Sequence, residues 1–239
     1  MSLSPNSVRS IVIKDATGNP IEKFDAHKEK LMHLVIVSNN LQFFEHTHPT
    51  FTGKGRFEVN ARLPFGGQYT LFSSYQPSDE NEEISVLSET VDGEPPPNAS
   101  VDTNLRRKTI KDTSVTLLLS NAERSSSENS LREDAGEKVK AGHKTDIQFV
   151  FRQPNSNEPI TDLQPYLDAQ GHLVVIKQST ASSPTLNLNS YMHIHSIAED
   201  ASSQVKFAAT FPKPGNYKLW GEFNRGGHLI VADFWIEVL

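Results

Sequence analysis

Nine histidines occur in a chain that has no cysteine. Six of them form two triples: His33, His46 and His48, then His172, His193 and His195. His27, His143 and His228 have no counterpart of this kind. On a strand, the two rings of a His-x-His pair share one face, about 6.6 Å apart along the chain. At that separation two imidazoles can converge on one ion held at about 2.0–2.1 Å per nitrogen. A third ring from a neighbouring strand, His33 or His172, completes a trigonal face. Three neutral imidazoles with an open fourth position suit Zn(II), Cu(II) or Ni(II), and the lack of thiols disfavours a Cu(I) cage. Metal requires neutral rings, so affinity should fall below about pH 6.5. A plainer use competes with this one. His33 and His172 can each tie a strand end to a loop carbonyl, and His-x-His can face solvent. Packing rarely demands three imidazoles twice, which favours the metal reading, although duplication copies structural residues too. Met32 and Met192 each precede a histidine of the set and should point the opposite way, into the core.

The triples belong to an internal repeat. The first copy contains Asn19-Pro20-Ile21, His33-Leu34-Val35-Ile36-Val37, His46-Thr47-His48, Leu63-Pro64 and Gly67-Gln68-Tyr69. The second contains Glu158-Pro159-Ile160, His172-Leu173-Val174-Val175-Ile176, His193-Ile194-His195, Phe211-Pro212 and Gly215-Asn216-Tyr217 in the same order. Pro-Ile to His-Leu-Val is 12 residues in both, and the later proline lies five before the tyrosine in both. The first histidine lies 13 residues before His-x-His in one copy and 21 in the other, so a longer loop is expected around 179–184.

The elements that must position these rings read as strands. Phe57, Val59, Ala61 and Leu63 alternate with polar residues, as do Val205, Phe207, Ala209 and Phe211. The runs 34–37 and 173–176 are rich in β-branched residues and suit strands buried on both faces. Residues 229–238 form a final strand. No segment carries a sustained helical period, and the polar 123–140 stretch reads as a loop. Pro-x-x-Gly-x-Tyr places Tyr69 and Tyr217 where a β-sandwich carries a tyrosine corner. The fold class expected is all-β, two tandem immunoglobulin-like (cupredoxin-like) β-sandwich domains. They occupy residues 8–91 and 113–239, with a linker at 92–112 stiffened by Pro95-Pro96-Pro97. The second copy should open with a strand at 115–119, followed by another at 145–151.

Composition excludes several other roles. The 239 residues are 36% hydrophobic and 22% charged, which are globular values. Zero cysteines exclude a disulfide scaffold, an Fe–S cluster and a thiol nucleophile. A net charge of -6 disfavours a nucleic-acid or anionic-membrane surface. No apolar run reaches the roughly 20 residues of a membrane-spanning helix, and residues 1–5 lack the features of a signal peptide. There is no Gly-x-Ser-x-Gly elbow, P-loop, dinucleotide fingerprint or His-Glu-x-x-His. The residue types therefore nominate no catalytic group and no organic cofactor. The acidic 79–83 segment reads as a solvated loop, and Trp220, Phe223, Phe234 and Trp235 as packing rather than a sugar shelf.

The His-Leu-Val-Ile-Val, His-Thr-His-Pro, His-Ile-His and Phe-Pro-Lys-Pro-Gly-Asn-Tyr-Lys-Leu-Trp segments resemble a bacterial family of tandem immunoglobulin-like or cupredoxin-like domains over residues 11–239. That resemblance implies an exported module, periplasmic or secreted, and links it to copper or heavy-metal handling. The chain departs from the pattern in having serine, not proline, after His195. The function expected is a non-enzymatic protein that buffers or transfers copper or zinc. The alternative is an interaction module of the cell envelope that engages a protein partner through sandwich loops or edge strands.

Overall fold

A computed structural model describes residues 6–121, 138–180, 185–197 and 203–239. Most of the polar stretch expected as a loop, and most of the 179–184 insertion, fall outside the described residues. The chain divides into two compact units, Met1–Ala99 with Ser179–Asn189, and Ser100–Gln178 with Ser190–Leu239. All the main elements are strands, as the periodicity requires.

The first unit contains β1 (Asn6–Val12), β2 (Phe24–Asp25), β3 (Met32–Ser38), β4 (Phe44–Thr47), β5 (Thr50–Gly53), β6 (Arg56–Arg62), β7 (Gly67–Pro77) and β8 (Glu83–Val91). One sheet has the order β1-β6-β5; the other runs β2-β7-β3-β4, with β8 also on β7. Every pairing is antiparallel. Phe57, Val59 and Ala61 of β6 face Met32, Leu34 and Ile36 of β3 across a shared core. Each fully buried residue of this size is worth about 1.5–3 kcal/mol. Strand β3 is buried along its whole length, as its β-branched run suggested. With even-numbered residues in the core, His33, Val35 and Val37 lie on the opposite face of the sheet.

The second unit contains β9 (Arg107–Ile110), β10 (Thr113–Asn121), β11 (Lys144–Arg152), β12 (Leu163–Gln164), β13 (His172–Lys177), β14 (Tyr191–His195), β15 (Gln204–Thr210), β16 (Gly215–Arg225) and β17 (His228–Val238). Its sheets are β15-β11-β10-β9 and β12-β16-β13-β14, with β17 also on β16. Phe149, Phe207, Leu173, Val175, Leu219 and Phe234 meet in its core. Met32 belongs to the first core and Met192 packs against the second, both away from the histidines beside them.

The repeat is offset from the expected opening. The 115–119 strand exists as the centre of β10, but β11 is the counterpart of β1. β1 pairs with β6 as β11 pairs with β15, and each leads into a Pro-Ile. Ile21 N donates to Ile13 O, and Ile160 N donates to Phe151 O, in matching places. The β9–β10 hairpin is thus an addition to one sheet edge. Its first strand falls within the 92–112 segment read as linker, because Arg107–Ile110 alternates half-buried and exposed residues against β10.

Both tyrosine corners form. Tyr69 Oη donates to Phe65 O at 2.8 Å, and Tyr217 Oη donates to Lys213 O at 2.7 Å. Gly67 and Gly215 precede them with φ of 96° and 134°. A side chain is strained in that region, which explains the glycine of the Pro-x-x-Gly-x-Tyr signature.

Candidate metal centres

Register brings the rings together. Val35 of β3 pairs with His46 of β4. His33 is two residues before Val35 and His48 two after His46, so all three histidines share one face. In the second unit His172 pairs directly with His195, and Val174 with His193. The proline after His48 is therefore not needed for the geometry, since the copy that has serine there makes the same arrangement.

The two sets agree closely. His33 Nδ1 lies 3.2 Å from His46 Nε2, and His172 Nδ1 lies 3.2 Å from His193 Nε2. Ring centroids are 5.4 Å apart for His33–His46 and for His172–His193. They are 4.9 Å apart for His33–His48 and 4.8 Å for His172–His195. Both His-x-His pairs are separated by 4.9 Å. Within each triple, one nitrogen per ring lies within 4.8 Å of the others. Two ligands at 2.0–2.1 Å in tetrahedral geometry stand about 3.3 Å apart. The closest pair in each set already has that spacing. His33 and His172 are buried, their four partners half-buried, and the Nε2 atoms of His48 and His195 are out of contact with solvent.

A turn beside each centre fixes the pivotal ring. His33 Nε2 donates to His27 O at 3.0 Å, and His172 Nε2 donates to Tyr166 O at 3.0 Å. A carbonyl only accepts, so each neutral ring must present its Nδ1 lone pair to the other histidines. Metal-bound histidines characteristically hold their second nitrogen this way. Each ring thus has one nitrogen tied to the main chain and the other directed at its histidine partners, where it could meet a metal ion.

The carbonyls come from two-residue turns. His27 N donates to Lys30 O and Lys30 N to His27 O; Tyr166 and Ala169 exchange the same two bonds. The central residues, Lys28 and Glu29, Leu167 and Asp168, all have φ between 47° and 64°. Glycine or asparagine usually fills such positions, and each ordinary residue costs about 1–2 kcal/mol there. That strain occurs in both copies, next to both centres. The sequence gives no turn signal at these residues, which is why the turns and their carbonyls escape a reading of residue types. The only hint is that His27 and Tyr166 each stand six residues before a pivotal histidine.

The side chains at the turn differ. The ring of His27 is 6.3 Å from His33, and the ring of Tyr166 is 5.6 Å from His172. Burial pushes the Tyr166 phenol above its ordinary value, and the charge of Glu222 adds to the effect. Glu222 is the other residue missed. It lies on β16 directly opposite His172 and is 1% exposed. Its counterpart opposite His33 is Ser74, 3% exposed. Glu45, although adjacent to His46, pairs with core residue Ile36 and so faces away; burial raises its carboxyl pKa, with Arg9 opposing.

Other nominated residues behave as packing or surface. Phe223 and Phe234 are core residues. Trp220 and Trp235 flank the Lys218 ammonium, which is 5.1 and 5.5 Å from their ring centroids and 3.3 Å from Asp233. Among the described residues the two histidine triples are the groups suited to hold a metal ion. No helix among them is long and apolar enough to cross a membrane.

Several solved structures are similar. The PmoD soluble domain from Methylocystis sp. is 17% identical, with 56% of this chain and 97% of that one covered, at a TM-score of 0.34. A putative membrane anchored protein from Corynebacterium diphtheriae is 11% identical, covering 99% and 59%, at 0.26. A tetra-tandem repeat from the extending region of a large adhesion protein is 8% identical, covering 98% and 57%, at 0.28. No curated protein matches the sequence. A family model does match, at residues 3–92 and 126–239. The match takes in both histidine triples and both tyrosine corners, and leaves out the β9–β10 hairpin. The chain therefore belongs to the family described as a domain of unknown function, DUF8832.

Proposed function

We propose that the protein is a non-enzymatic metal-binding protein that holds one copper or zinc ion in each unit, for buffering or transfer, outside the cytoplasm. The observation that carries this reading is the doubled geometry: in each unit three imidazoles converge, and the pivotal ring is oriented by a main-chain carbonyl. His33, His46 and His48 supply the first centre; His172, His193 and His195 supply the second. Three neutral nitrogens leave a position open to a fourth donor, which suits an ion that must be released again.

Calorimetric titration of the untagged protein with Zn(II) or Cu(II) tests the reading. Two equivalents should bind more tightly than about 10 μM. His46→Ala/His48→Ala should remove one equivalent, and His193→Ala/His195→Ala the other. Binding that is absent, or unchanged in both double variants, overturns the proposal. A melting temperature indifferent to metal, with one specific partner recovered from the parent cell envelope, would instead establish the interaction module.

A further inference from the structure

We infer that the two centres differ in strength for a divalent ion, the second being the tighter because a buried carboxylate, Glu222, stands behind its pivotal histidine. The inference rests on the metal-binding reading above and adds a ranking to it. Ring spacings, the carbonyl bond and the strained turn are shared by both centres. At the position across from the pivotal histidine, the shared pattern breaks. In an antiparallel pair, directly opposed residues share a face, with Cβ atoms about 4.5–5.5 Å apart. In the first unit that position holds the Ser74 hydroxyl; in the second it holds the Glu222 carboxylate. Both residues are nearly inaccessible, so neither charge nor dipole is damped by bulk water.

Glu222 is not among the groups whose ligand atoms cluster within 4.8 Å. It therefore acts as a charge beside the ligand shell rather than as a ligand. A dication entering beside a buried carboxylate gains an attraction that a serine cannot offer. Of the other charges nearby, Lys218 lies four residues along β16, about 13 Å away, and is paired with Asp233, which also takes Lys108. His27 beside the first centre brings no negative charge. Groups next to a ligand shell typically change metal affinity about 10–100-fold.

Zinc titration of the full chain at low ionic strength is the test. Two resolved steps at least about tenfold apart are expected. His46→Ala/His48→Ala should retain the tight step and His193→Ala/His195→Ala the weak one. Glu222→Gln, nearly the same shape without the charge, should bring the two steps together, and Ser74→Glu should tighten the first centre. Two equivalent sites, a tight step that resides in the first unit, or steps unmoved by Glu222→Gln would overturn the ranking and leave the metal reading intact. No zinc binding at all would remove both. Should Glu222→Gln fail to fold, the two histidine double variants still decide the ranking with Glu222 in place.

Discussion

The chemistry of each centre depends on one proton. His33 and His172 each spend Nε2–H on a turn carbonyl, and this leaves Nδ1 as a lone pair at the meeting point. Before metal enters, the Nε2–H of His46 can donate across the 3.2 Å gap to His33 Nδ1. A bound ion would take the place of that proton, and the His46 ring would carry its hydrogen on Nδ1 instead. His33→Ala should therefore lower zinc affinity of the first centre by at least about 100-fold, since it removes a ligand and frees the partner rings; calorimetry in the His193→Ala/His195→Ala background isolates that loss, and an unchanged constant would contradict the tautomer argument. A second residue, remote from the centres, has a purely structural task. Tyr69→Phe removes the corner bond to Phe65 O and should cost about 1 kcal/mol in urea unfolding. The six histidines were legible in the sequence because duplication printed them twice. Glu222 was not, because serine occupies its place in the other copy and its partner lies fifty residues earlier in the chain.

At the scale of elements, strands place the rings and turns lock them. Two left-handed residues in succession at 28–29 and at 167–168 are a cost the fold carries in both copies. Lys28→Asn with Glu29→Gly should relieve it, raising stability by about 1 kcal/mol while leaving zinc affinity unchanged. A lower unfolding midpoint would show that the turn is not strained as described. On β16 and β17 a different device operates. Burial alone would raise the Asp233 carboxyl, but bonds from Lys108 and the attraction of Lys218 and Lys108 outweigh it and hold the group below the ordinary range. A depressed carboxylate stabilises the fold above its ordinary pKa, and the contribution fades as pH falls through the folded value. Asp233→Asn should thus weaken the protein at neutral pH, with the gap to the parent closing in acid; urea melts at about pH 7 and pH 3 check this. Alternation made most strands readable, Phe57-Val59-Ala61 most plainly. Strand β10 was readable as the 115–119 run, but its hairpin partner β9 escaped because it is only Arg107–Ile110, with charged side chains that resemble linker.

At the scale of the whole molecule, the chain contains one fold and one centre twice. Each histidine triple comes wholly from its own unit, from β3 with β4 and the residue that follows it, and from β13 with β14. Zinc at 100 times its dissociation constant should add about 2.7 kcal/mol to the stability of the unit that binds it. The histidine double variants should each lose that gain in one unit only. Diffraction from zinc-loaded crystals at the zinc absorption edge would locate the ions. Two anomalous peaks per chain are expected, one bonded to nitrogens of His33, His46 and His48 and the other to nitrogens of His172, His193 and His195, at about 2.0–2.1 Å. Zinc located elsewhere, or both triples remaining bonded ring to ring in the presence of saturating zinc, would contradict it.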